Sequence, residues 1–326
     1  MQISDLRRTA RDRLLDFAWD EWAQMGVSAA ARRVDRSAQD PEARPLLTFE
    51  VAREDPGLFG EVLDWLALNE RLVSVQRLRN LCRDEADRTL AEAALSWVAH
   101  SKDGSQRRRR PAESEPSPAV QLFRDVKADA RRADAAFRAY GWLMPTAVPS
   151  GKSQVPDLQA PINFAFRLRQ LLGVGARAEA ARFLLTVHAP SVTARVVTES
   201  AAFAKRNVHE ALAALHSAGV IDAVTVGNEQ RDRIDRERWE TLLGLPEDGL
   251  PTERSWPQLF HALRVLGRWL EDEQHERLSP YMLASEARTL AQETSRNSAM
   301  PACESPQVAV TAPSTGRTSS TSSRQL

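Results

Sequence analysis

The chain has 326 residues, 42% of them hydrophobic, and its Lys plus Arg and Asp plus Glu are equal at 44 each. That length suits roughly two domains, and the apolar content supports packed cores. With no net charge, a globally basic nucleic-acid binder is excluded, and any polyanion must be met by a local patch.

Residues 1–100 read as an N-terminal helical domain. Ser4 is a suitable cap, and Leu6, Leu14, Phe17, Trp22 and Met25 recur at helical spacing. Pro41 and Pro45 act as breakers in a looser segment. Asp55 and Pro56 open a second helix with Phe59, Val62, Leu63, Leu66 and Ala67 on its apolar face. Leu72, Val75, Leu78, Leu81 and Cys82 continue the pattern, and residues 90–97 give a fourth helix. Residues 58–81 also pass for a second, poorer helix-turn-helix.

Residues 101–118 are a basic, proline-rich linker, with arginine at each position from 107 to 110 and Pro111, Pro116 and Pro118 nearby. Too little apolar surface is present to offset the entropy of ordering it. Residues 119–160 form a connector, a helix over 119–131 followed by a stretch punctuated by Pro145, Pro149 and Pro156. Residues 161–245 look globular. A helix over 162–172 stops at Gly173 and Gly175, and a second begins near Arg177 and ends before Pro190. Residues 246–292 hold two C-terminal helices, 256–270 and 279–292, the latter opened by Ser279 and Pro280. From Glu293 to the last residue the composition is serine- and threonine-rich, and disorder is expected.

The informative stretch is 193–220. Thr193 is an N-cap, Val196, Val197 and Ala201 bury one face of a short helix, and Ala202, Phe203 and Ala204 make a turn. The next helix starts at Lys205 and carries Val208, Ala211, Leu212 and Leu215 as an i, i+3, i+4, i+7 stripe. Lys205, Arg206, Asn207, His209 and Glu210 remain on or near its opposite face. Gly219 ends it. The period then changes. Val220, Ile221, Val224 and Val226 suggest a strand, Gly227 and Asn228 a turn, and residues 230–234 a charged return strand. Asp235 caps a last helix with Trp239, Leu242 and Leu243.

Over residues 176–245 this order resembles the winged helix-turn-helix transcription regulators of the MarR and ArsR kind. The carrying residues are Lys205, Arg206, Asn207 and Val208, residues 212–215, and the step Ser217, Ala218, Gly219, Val220, Ile221 into the wing. Ala202 stands where such turns often have glycine, and Ala204 where serine or threonine often caps. The resemblance implies double-stranded DNA as partner. Lys205 and Arg206 would meet phosphates or guanine edges, Asn207 or His209 would meet bases, the wing arginines Arg231 and Arg233 would reach the backbone or minor groove, and Arg195 would lie near the reading helix. It also implies a homodimer, for which Phe260, Leu263, Leu266 and Leu270 offer a face, the equal alternative being that they pack on their own domain. The expected fold is therefore mainly α: an N-terminal helical domain plus a winged helix-turn-helix domain with a small β-hairpin wing and C-terminal helices. The expected function is DNA binding and transcriptional regulation, not enzymatic.

A protein-interaction or assembly module is the alternative, because basic and acidic residues balance across 176–245 and fold does not fix function. An enzyme using Glu61 and Asp64 is a third reading, resting on residues common on exposed helix faces. Ser150, Gly151, Lys152 and Ser153 end like a phosphate loop, but Thr146 stands where the motif needs glycine. Cys82 and Cys303 make neither a disulfide framework nor a zinc site. The six histidines lack ligand spacing, so no metal and no cofactor are expected. Trp19, Trp22, Trp65, Trp97, Trp239 and Trp269 fall on helical apolar faces and read as core. Residues 1–13 carry charge throughout and no stretch reaches the roughly 18 residues of a membrane span. A cytoplasmic protein with no membrane contact is expected.

Overall fold

The computed structural model describes residues 3–30, 36–102 and 119–298. It is mainly helical, with one small two-stranded antiparallel sheet and one two-residue parallel pair. The expected linker lies almost wholly outside the described residues. Among those described, no helix is long and apolar enough to cross a membrane.

The chain opens with α1 (Ile3–Gln24). A buried segment, residues 37–42, ends in a turn and leads into α2 (Ala43–Val51). The expectation of a loose stretch broken by Pro41 and Pro45 is corrected here. Pro45 lies in the first turn of α2, where a backbone N–H has no intrahelical partner, so its missing donor costs the helix nothing. Nearly every residue of α2 is buried, as in a helix packed on all sides.

Next come α3 (Pro56–Asn69), α4 (Val75–Leu81) and α5 (Glu85–Lys102). The Asp55 carboxylate caps α3 by accepting from the backbone N–H groups of Gly57 and Leu58, at 2.9 and 3.1 Å. The helix expected over 119–131 does not form. Instead β1 (Val120–Gln121) pairs in parallel with β2 (Trp142–Leu143), flanking the short α6 (Ala135–Arg138). The Gln121 side chain explains the difference. It donates to the carbonyl of Ala128 at 3.0 Å and accepts from the Ala128 N–H at 2.8 Å, closing a loop that a helix would have to open.

The second half runs α7 (Phe164–Leu172), α8 (Ala176–Thr186), α9 (Ala194–Ala201), α10 (Lys205–Ser217), β3 (Ile221–Val226), β4 (Glu229–Ile234), α11 (Arg236–Leu243), α12 (Trp256–Glu271) and α13 (Pro280–Ser298). α13 extends into the stretch from Glu293 expected to be disordered, and the remainder of that tail lies outside the described residues.

Three large apolar clusters organise these elements, beside a small fourth of Ala128, Ala133 and Leu143. The first joins α1, α3 and α5 to the β1–β2 region. Trp22 meets Trp65 edge-on at 5.2 Å, and Phe59 meets Phe123 and Phe137 at 5.5 and 5.7 Å. The second lies among α7–α11 and includes Leu168, Phe183, Val197, Val208, Leu212 and Trp239. The third is made where α12 returns onto α2: Trp256 and Phe260 pack with Leu46, Leu47 and Leu78, and the Trp256 indole donates to the carbonyl of Ala38 at 2.8 Å. Phe260 and Leu270, assigned above to a dimer face, are buried within the chain, while Leu263 is partly covered and Leu266 is exposed.

Between the first and second clusters runs a chain of buried charges. Arg77 of α4 grips Asp40 with both Nη atoms, at 2.5 and 2.6 Å, and reaches Glu42 at 2.8 Å. Arg169 of α7 bonds Glu42 through both Nη atoms, at 2.7 and 2.8 Å, and Glu179 of α8 at 2.6 Å. Arg182 joins Glu179, at 3.0 Å, to Glu253, at 2.5 Å. Backbone groups complete the set: Glu42 accepts from Ser74 N–H at 2.7 Å, and Arg169 donates to the carbonyl of Leu72 at 2.6 Å. Asp40, Glu42, Arg77, Arg169, Glu179 and Arg182 are all buried.

Burial alone would push Asp40 and Glu179 up. Arg77 overcomes it at Asp40, and Arg169, Arg77 and Arg182 overcome it at Glu179, so both carboxyls sit below their ordinary range. At Glu253 burial outweighs Arg182, and the carboxyl is raised. Removing one member leaves charges stranded away from water. Arg169→Met is therefore expected to lower the unfolding free energy by about 3–5 kcal/mol in urea titration. A loss under about 1 kcal/mol would place the network among ordinary surface pairs.

Candidate nucleic-acid interface

α9 forms because Thr193 caps it, its hydroxyl accepting from Val196 N–H at 3.4 Å, and because Val197 and Ala201 bury completely against the second core. The helix ends at Ala202, which takes a left-handed conformation with φ +54°. That conformation costs an L-residue roughly 1–2 kcal/mol. Phe203 packs partly into the core beneath the turn. The turn carbonyls are held from the N-terminal half of the chain: Arg77 Nε donates to the carbonyl of Ala201 at 2.8 Å, and Asn80 to that of Ala202 at 3.0 Å.

α10 buries the expected stripe, Val208, Ala211, Leu212 and Leu215. Its N-cap, Ala204, has no side-chain acceptor. The first-turn amides of α10 therefore lack a side-chain cap, at the helix end carrying the positive pole of the peptide dipoles.

The hairpin that follows has Gly227 at φ +62° in its turn. Ile221 pairs with Ile234 at its base, Asp222 with Arg233, and Val224 with Arg231. Antiparallel partners share a face, so Ile221, Asp232 and Ile234 turn inward and Arg231 and Arg233 turn outward. Val192, just before α9, pairs with Asp232 and extends the hairpin by one bridge. His216, late in α10, lies 2.8 Å from the Asp232 carboxylate and 3.1 Å from the carbonyl of Ile221, tying α10 to the hairpin.

The residues assigned to DNA contact fall on three adjoining pieces. Arg195 is exposed in the first turn of α9. Lys205, Arg206 and His209 are exposed at the start of α10, with Asn207 half-buried beside them. Arg233 is exposed and Arg231 half-buried on β4. Four of these cations already hold carboxylates, three on their own elements and one across the hairpin: Arg195 with Glu199 at 3.1 Å, Arg206 with Glu210 at 2.8 Å, Arg231 with Glu229 at 3.2 Å and Arg233 with Asp222 of β3 at 3.4 Å. Lys205 makes no ion pair with any described residue. Exposed pairs of this kind are worth only about 0.3–0.5 kcal/mol along a helix, so a phosphate can displace the carboxylate at little cost.

The positioning residues Arg77, Asn80, His216 and Asp232 are not legible as such in the sequence, since each bonds across long separations or between elements. Glu61 and Asp64, the carboxylates of the enzyme reading, hold the 150–153 loop: both accept from the Ser150 hydroxyl at 3.2 Å, and Asp64 also from Ser153 N–H at 3.3 Å. No known protein-family model matches this chain, and it has no match among curated proteins or solved structures.

Two substitutions test the local account. Ala202→Gly relieves the left-handed strain and is expected to stabilise by about 0.5–1 kcal/mol, less than the full strain because glycine is more disordered when unfolded. Ala204→Ser supplies the missing cap and is expected to add about 1 kcal/mol. Thermal unfolding reads both, and a variant melting below the parent contradicts the geometry at that position.

Proposed function

We propose that residues 176–245 are a winged helix-turn-helix that binds double-stranded DNA, and that the chain is a transcriptional regulator. What carries this reading is the start of α10. Lys205, which pairs with no described residue, a displaceable Arg206, Asn207 and His209 gather at an uncapped helix end, beside a hairpin bearing two outward arginines. Backbone phosphates suit the cations and the free amides, and Asn207 offers the amide geometry that pairs with adenine. Because the surface is neutral overall, weak nonspecific affinity is expected, with discrimination resting on a few contacts.

The pairing of each arginine with a carboxylate favours a second reading, in which the same face docks an alternating-charge protein surface. The two readings separate in fluorescence anisotropy on duplexes from the chain's own upstream region, at low and moderate salt. DNA binding predicts a preferred duplex whose affinity falls at least about tenfold in Lys205→Ala/Arg206→Ala, with the log–log salt slope reduced by about 2. A folded double variant that binds every duplex like the parent, or a parent that binds none at low salt, contradicts it and favours the protein-docking reading.

A further inference from the structure

A cavity of about 320 Å³ opens between α2, α5, β2 and α12, with no lining residue on α10. That volume lies at the lower end of the roughly 300–1,000 Å³ common for small-molecule sites. One side is apolar, formed by Leu46, Phe49, Leu90 and the Trp142 ring. Arg53 stands against that side. Its Nε donates to the carbonyl of Leu122 at 2.9 Å, and its guanidinium carbon lies 5.4 Å from the centre of the Trp142 ring. Anchored at Nε and stacked on an aromatic, the group is held in orientation. Its two Nη atoms donate to no described residue, and Arg53 makes no ion pair with any described residue.

The other charges around the cavity are engaged. Glu50 accepts from Arg268 at 2.8 Å, Asp87 is bonded by Arg264 and Arg268, and Glu271 by Arg11 and Arg124. Asp272 accepts from Gln274 N–H at 2.9 Å. Arg53 is the exception, a cation partly removed from water without a carboxylate of its own. Burial, with Arg124 and Arg268 close by, depresses its pKa despite Glu50.

We propose that this cavity binds a small planar organic anion, its carboxylate or phosphate taken by the free Nη fork of Arg53 and its flat apolar part lying against Trp142 and Phe49. A fixed guanidinium with two free donors matches either oxyanion bidentately, and the adjoining apolar wall excludes a bare inorganic ion as the best occupant. This site stands independently of the DNA reading, since none of its residues lies on α9, α10 or the hairpin.

Isothermal titration of the full chain with benzoate, phenyl phosphate, inorganic phosphate and benzamide tests it. At least one of the two aryl anions binds, and which one does identifies the head group. Benzamide and inorganic phosphate bind at least about tenfold more weakly. Arg53→Gln and Arg53→Lys each weaken the aryl anion at least about tenfold, the lysine because a point charge lacks the fork. Trp142→Leu, which keeps the Arg53 charge and its Nε anchor on the Leu122 carbonyl, erases the preference for an aryl over an inorganic anion and keeps the test open should Arg53→Gln not fold. Absence of binding by both aryl anions, equal binding of benzamide, or undiminished binding by a folded Arg53→Gln overturns the proposal.

Discussion

The fold depends on one constraint: Glu42 and Glu179 must be neutralised out of reach of water. Glu42 sits fully buried between two arginines, Arg77 from α4 and Arg169 from α7, and Glu179 between Arg169 and Arg182. Isolated burial of either carboxylate is prohibitively costly, so the elements that carry its partners must stay together. Such a network is weak evidence for net stability, since well-packed apolar residues often do as well. Its consequence is specificity of arrangement. Guanidinium forks accept few geometries, and these link the 37–42 segment, α4, α7 and α8 in one register.

That register reaches the candidate interface. Arg77, which holds Asp40 and Glu42, also donates to the carbonyl of Ala201 at the end of α9. The turn before α10 is thus fixed by a residue more than a hundred positions earlier, and Asn80 of the same helix holds the next carbonyl. On the other side, His216 and the Val192–Asp232 bridge fix the hairpin against α10. The turn and the hairpin are tied on both sides, and the arginines they present are engaged only in weak exposed pairs. A partner with phosphates or carboxylates and cations in matching places therefore meets a prepared surface at small electrostatic cost.

The second half of the molecule was legible wherever local chemistry decides. Thr193 and Asp235 cap α9 and α11 as their residue types suggest, the 208–215 stripe is buried, and the change of period after Gly219 marks the hairpin. Reading failed where long-range packing overrides local preference. Pro45 looks like a breaker until it is placed in a first turn. Residues 119–131 carry helix-compatible spacing, yet Gln121 bonds to the backbone of Ala128 and buries the adjacent Leu122 and Phe123 together. Arg77 and Arg169 look like solvated charges in any window, because their partners Asp40, Glu42 and Ala201 lie 35 to 127 positions away, and Glu179 is drawn into the same buried set through Arg169 and Arg182. Arg53 is equally silent in sequence: Leu122 and Trp142 give it its orientation.

If the buried charges join the two halves, those halves open together. Native-state hydrogen exchange of the parent chain under rising denaturant tests this most directly, comparing core amides of α3 and α5 with those of α8 and α10. The account predicts that both sets converge on one opening free energy with one denaturant dependence. Two separate, persistent opening energies, with α8 and α10 exchanging while α3 and α5 remain protected, would show that the network does not couple them.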